Sequence, residues 1–375
     1  MKLFYTDSGI IRDQVKKNKL TKFIQFNSDS NLHIFEEDDI IFLAQSADIN
    51  GYYDKFLSLP NKKIIFSFHE YIHLTTRQDY LKKYNNICFL SPHLDLGTSQ
   101  YDLSTLIALY GFVTLFNDLY CDEEYLKSKF DKKRNKKINF FNRAINLRRA
   151  KVFEFLIKNN IKFADDVYYT FGLFLCKFNF PHYKTITEYI NGQTKLNDGN
   201  KILNIDCEYL EANKDNCKLN ETVEYHYDNP SFNQKWVDTH FNEINEMSLD
   251  SYISFVIESS GDFLLDCRYT EKTVRCLIFK NIFFTIGTYG FNEGLKNKGF
   301  KTFNDIFGLD DSWDKVDELE RVTIFTKKLD EFNNKTKEEI EEIYYSEDIQ
   351  QRLDYNYNLC IKSFNNFETN LINEL

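Results

Sequence analysis

The sequence predicts two α/β lobes, each a parallel sheet with helices on both faces. Three observations lead there. The chain has 375 residues, more than one hydrophobic core usually supports. Short apolar runs of strand length alternate with amphipathic, helix-spaced segments in both halves, which is the pattern of repeated βα units. The 36 Phe and 24 Tyr supply ample apolar area to bury, so a disordered chain is excluded.

The first lobe is expected over residues 1–126. Its strands are read at 2–5, 40–45, 63–68 and 87–90, and the segments 52–59 and 75–84 between them carry helical spacing. A longer apolar helix is expected over 104–120. The dense basic run 127–137 lacks an apolar stripe and reads as a linker between the lobes.

A second lobe is expected over 138–334. It begins with a strand at 138–142, a helix at 148–160 and a strand at 167–171. Residues 192–234 turn polar and irregular, with Asn-Asp-Gly and Asn-Pro turn signals, and read as an insertion or long loop. Order resumes with an amphipathic segment at 236–247, a strand at 252–257, a helix at 271–280, a strand at 281–286 and a helix at 291–298. The tail 335–375 is charged, with apolar residues at helical spacing, and is expected to cross back onto the first lobe.

Several function classes fall away on composition. No apolar run reaches the roughly 20 residues needed to cross a bilayer, and the N-terminus lacks the build of a secretory signal, so a cytoplasmic protein without a membrane span is expected. The eight dispersed cysteines contain no Cys-x-x-Cys pair and read as reduced, buried thiols. A formal charge of −10 disfavours broad coating of nucleic acid but leaves room for a local basic patch.

Chemistry concentrates in the second half. An apolar strand ends at Glu258, and Thr270-Glu271-Lys272-Thr273 then opens a helix. A strand's carboxyl end and a helix N-terminus facing one crevice is the usual ligand position of an open α/β sheet. With Thr270 as N-cap, Glu271 and Lys272 fall in the first turn, where the helix dipole favours a phosphate and Lys272 adds a formal charge. Glu271 suits a pair of vicinal ribose hydroxyls. Arg143, Arg148 and Arg149 sit at another strand-to-helix junction, where guanidinium groups can grip phosphates in a bidentate way.

These landmarks, followed by a strand running into Gly287 and a Gly299-Phe-Lys-Thr-Phe303 turn, resemble a family of glycosyltransferases common in tailed phages and bacteria. More distantly they resemble the fucosyltransferases with a Thr-Glu-Lys motif. The resemblance covers roughly residues 139–332. It implies a GT-B fold, two Rossmann-like lobes with parallel sheets facing a cleft. The implied activity is metal-independent transfer from a nucleotide-sugar, which acts as co-substrate with no further cofactor. It places Glu271 on the donor's ribose and Lys272 on its diphosphate, with Arg143 and Arg148 or Arg149 in the phosphate grip and Thr270, Thr273 and Glu258 completing the donor site. Val274-Arg275-Cys276 departs from the family's aromatic or Lys-Pro run, which leaves the donor's identity open.

His69-Glu70-Tyr71-Ile72-His73 formally matches the His-Glu-x-x-His zinc motif, although it directly follows a strand instead of lying within a helix. At a strand's carboxyl end, His69 or Glu70 suits the general base that deprotonates an acceptor hydroxyl. The acceptor is expected to be a glycan or a hydroxymethylated base of phage DNA, the basic run being a candidate contact to a phosphate backbone in the second case. The alternatives are a zinc metallopeptidase acting through His69, Glu70 and His73, and a non-catalytic nucleotide-sugar-binding protein.

Overall fold

A computed structural model describes residues 3–6, 23–26, 35–36, 38–44, 59–66, 87–90, 123–142, 147–171, 187–188, 203–213, 234–258 and 270–365. The chain is α/β and divides into two compact units, Met1–Asp118 with Lys362–Leu375, and Leu119–Ile361.

The first unit holds a five-stranded parallel sheet of β1 (Leu3–Thr6), β2 (Phe23–Phe26), β3 (Ile40–Ala44), β4 (Lys62–Phe66) and β5 (Ile87–Leu90), in the order β2-β1-β3-β4-β5. Four of these strands match expected runs within two residues. The fifth, β2 with the sequence Phe-Ile-Gln-Phe, was not anticipated. At the amino ends of β3 and β4 the turns are tied by amides. Buried Asn61 donates to the carbonyls of Glu36 and Asp39, and the Asp39 carboxylate accepts from the Glu36 N–H at 2.9 Å.

The second unit is built on β6 (Lys136–Asn142), β7 (Val167–Phe171), β8 (Ser251–Ile257) and β9 (Ile282–Ile286), all parallel, in the order β7-β6-β8-β9. Every residue of β8 and β9 is buried, which explains their mainly apolar sequences: strands of a parallel sheet are covered on both faces. The helices here are α1 (Glu123–Phe130), α2 (Leu147–Lys158), α3 (Cys207–Asn213), α4 (Gln234–Leu249), α5 (Glu271–Ile278), α6 (Phe291–Asn297), α7 (Glu318–Asn333) and α8 (Lys337–Tyr344). A last helix, α9, spans Glu347–Asn365.

Alternation along the strands sorts the layers. Phe140, Phe255 and Phe284 point to one face, where each meets Phe325 of α7 with ring centroids 5.6–6.0 Å apart. Phe307 and Trp313 stack on Phe284 from two 3₁₀ turns, completing an aromatic core. On the opposite face Tyr252 packs on Tyr344 of α8, and α4 and α5 lie against each other and against β8.

Two expectations are corrected. The basic run 127–137 is not a linker. Lys127 and Lys129 form the last turn of α1, where cations offset the helix dipole, and Lys136 and Lys137 open β6. The division into units falls at 118/119 instead. Within the stretch 192–234, expected as an insertion or long loop, the described residues include a short helix, α3. The expected helix at 104–120 lies outside the described residues.

Candidate functional site

In the second sheet β6 pairs with β7 on one side and β8 on the other, so the chain reverses direction across the sheet between β6 and β8. Open α/β sheets hold ligands outside the carboxyl ends of the strands at such a reversal. Asn142 ends β6 there, Glu258 directly follows β8, and Gly287 follows β9.

Glu258 is fully buried and spends its carboxylate on the start of α5. Oε1 accepts from the Thr270 N–H at 3.1 Å and from Thr273 Oγ1 at 2.5 Å, while Oε2 accepts from Thr270 Oγ1 at 2.5 Å. Thr270 is the N-cap of α5, in extended conformation, and its hydroxyl also accepts from the Lys272 N–H at 3.4 Å. Helix start and strand end are thus joined by one carboxylate, and Glu258, Thr270 and Thr273 serve one another. Lys272 is half-buried in the first turn, with Nζ 3.3 Å from Thr270 Oγ1. Glu271 opens the helix; its side chain lies outside what is described. Further along α5, burial pushes the Cys276 thiol up to about 12, so that it packs as an inert apolar group.

The arginines at the start of α2 belong to the opposite layer. Arg148 is buried in an ion pair with Glu318 in the first turn of α7, through Nε and through Nη2 at 3.3 Å. Arg321, one turn on, binds the same carboxylate at 2.6 Å and donates to the Gly287 carbonyl at 2.9 Å. Arg149 donates to the Ile257 carbonyl at 3.1 Å. Two strand ends are therefore capped by guanidinium groups, and three such groups share this edge with the carboxylates of Glu318 and Asp314. Asp314 is buried behind α6, accepting from the Asn292 N–H at 2.6 Å and from its amide at 2.8 Å, and burial pushes its carboxyl up.

Of the residues expected from the sequence, the structure brings Glu258, Thr270, Lys272 and Thr273 together on one face, and places Arg148 and Arg149 on the other. Arg143, His69, Glu70 and His73 lie outside the described residues. Among the described residues no cluster of His, Cys, Asp or Glu is arranged to hold a metal, and no helix is long and apolar enough to cross a membrane. Glu318 and Arg321 were not anticipated. Asp317 followed by Glu318 and Glu320, with Val322, Phe325, Leu329 and Phe332 at helical spacing, carries the signal of a capped amphipathic helix; only the fold pairs it with Arg148, 170 residues away.

The basic run is largely engaged within the unit. Lys127 pairs with Glu123, Lys129 with Glu246, Lys133 with Glu341, and Lys137 with Asp166, while Lys136 donates to the Asp165 carbonyl. Arg134 is buried and donates to the carbonyls of Ser251, Phe279 and Lys280, closing the amino edge of the sheet.

No family model, curated protein or solved structure matches this chain.

Proposed function

We propose that the chain transfers a sugar from a nucleotide-sugar donor to an acceptor hydroxyl, of a glycan or of a hydroxymethylated base, with the donor's diphosphate at the carboxyl edge of the second sheet. The observation that carries this reading is the reversal between β6 and β8, lined by buried guanidinium groups and by a helix start pinned to the strand end through Glu258. In such a transfer the bond from the anomeric carbon to the diphosphate oxygen breaks as the bond to the acceptor oxygen forms. The acceptor proton passes to a base, for which Glu70 and His69 are the candidates. The leaving nucleoside diphosphate gains negative charge, so cations already fixed in place stabilise the transition state more than the ground state. Arg148, Arg149 and Arg321 are held by Glu318 and by strand-end carbonyls, so their field is organised before any ligand arrives. Lys272 is assigned to the diphosphate and Glu271 to the ribose, with Arg143 as a further phosphate contact.

A thermal-unfolding panel of nucleoside diphosphates and their sugar conjugates tests this, because a ligand bound by the native state alone raises the midpoint. At least one base is expected to give a shift, and Lys272→Ala to weaken that ligand roughly tenfold or more through loss of a charge-assisted hydrogen bond. A panel without any shift sinks the reading. Binding without turnover in the presence of acceptors favours a nucleotide-sugar-binding protein instead.

A further inference from the structure

The last residue of β6 carries an unusual amide. Asn142 is 2 % exposed, and among the described residues neither its side-chain nitrogen nor its side-chain oxygen has a hydrogen-bond partner. Its backbone is conventional, the N–H donating to Thr170 Oγ1 at 3.1 Å, so the strand does not depend on the side chain. A buried amide with neither end satisfied opposes folding, and such groups in native proteins call for an explanation.

Position supplies one. The pairing of β6 with β8 joins Ile138 to Ile253 and Asn139 to Ser254, and the same register carried forward sets Asn142 level with Ile257, the strand end whose carbonyl Arg149 caps. Alternation puts Asn142 on the face of Phe140, which meets Phe325 of α7. Two residues beyond Phe140 along the strand is Asn142; one turn before Phe325 along the helix is Arg321. Both steps lead to the carboxyl edge, so the amide lies on the side of the Arg148–Glu318–Arg321 cluster. Among the described residues, Thr288 Oγ1 and Asp314 Oδ1, buried at this edge, also lack partners.

We propose that Asn142 is a ligand contact, its carboxamide both donating to and accepting from a hydroxyl of a phosphorylated sugar whose phosphate is held by the neighbouring guanidinium groups. This rests on the nucleotide-sugar reading above and adds to it a residue that recognises the sugar. A hydroxyl matches the site because it is donor and acceptor at once, as the amide is. The hydroxyl belongs either to the ribose of the nucleotide or to the transferred sugar.

Asn142→Val is the informative variant, since a β-branched residue suits a strand and no existing hydrogen bond is lost. The midpoint of the ligand-free protein is expected to stay level or to rise by about 2–4 °C. The dissociation constant for the nucleotide-sugar that shifts the parent protein is expected to rise roughly tenfold or more. Asn142→Thr, which restores a hydroxyl, should recover part of that loss. Weakening of the nucleoside diphosphate to the same degree assigns the contact to the ribose; weakening of the conjugate alone assigns it to the transferred sugar. Asn245 offers a control, with an equally buried and unpartnered amide on α4 near the amino ends of the strands, and Asn245→Leu should leave the constant unchanged. Unchanged affinity in Asn142→Val, or a clear fall in its ligand-free midpoint, overturns the assignment. If the parent protein binds no nucleotide at all, the functional reading fails together with it.

Discussion

The two edges of the second sheet use buried charge in opposite ways. At the amino edge Arg134, Lys137 and Asn281 donate almost entirely to main-chain carbonyls: Arg134 to three, Lys137 to those of Asn333 and Lys335, Asn281 to those of Ser248 and Ser251. These are locks between chain segments far apart in sequence. At the carboxyl edge the charges also meet one another, with Arg148 and Arg321 both on Glu318. The first arrangement ties distant segments together. The second gathers two cations around one carboxylate, which suits an edge prepared for a ligand.

Mutation can break or sharpen that contrast. Glu318→Ala leaves two guanidinium groups buried without their carboxylate and is expected to destabilise by about 3–5 kcal/mol in urea unfolding. It should also abolish nucleotide binding at temperatures where the variant remains folded. Arg134→Ala removes the donor from three carbonyls and should cost about 3 kcal/mol, but binding by the folded fraction should be unaltered. Should the two variants affect binding alike, the edges do not differ in role. Thr270→Ala removes an N-cap and a hydrogen bond to buried Glu258, for an expected loss of about 2 kcal/mol together with weaker binding.

A pH series probes the same edge more gently. Burial raises the carboxyl of Asp314, so its protonated form favours the folded state. That contribution is full below about pH 4 and is lost as pH rises through the raised value. Asp314→Asn should therefore gain stability relative to the parent as pH climbs out of the acid range. Asp305 has the opposite sign: its hydrogen bonds to Arg352 hold it low, so its contribution is present at neutral pH and disappears on acidification. Denaturation midpoints of Asp314→Asn and Asp305→Asn across pH, each against the parent, give the two slopes. The smallest effect is expected from the thiols. Burial raises both Cys276 and Cys360, and mass-spectrometric mapping of maleimide labelling should find neither modified in the native protein.

β8 and β9 were legible because they are buried on both faces and so read as mainly apolar runs, and the start of α5 was legible because an N-cap threonine is a local signal. The partners of the charges were not. Nothing in the neighbourhood of Arg148 announces Glu318, and nothing around Glu258 says that its carboxylate is consumed by Thr270 and Thr273. A cluster such as 127–137 invites reading as a linker, while the fold pairs most of its cations within the unit and buries Arg134 and Lys137.

Gly287 has a mechanical consequence. A β-carbon at this position would come within 2.3 Å of the Phe291 ring, so strand end and helix α6 are spaced by the thickness of one hydrogen. From Phe291 the linkage continues through Asn292 to Asp314 and so to its neighbour Trp313, whose ring lies on Phe284 in the middle of the sheet. Alanine at Gly287 would therefore force the Phe291 ring, and with it the start of α6, to shift.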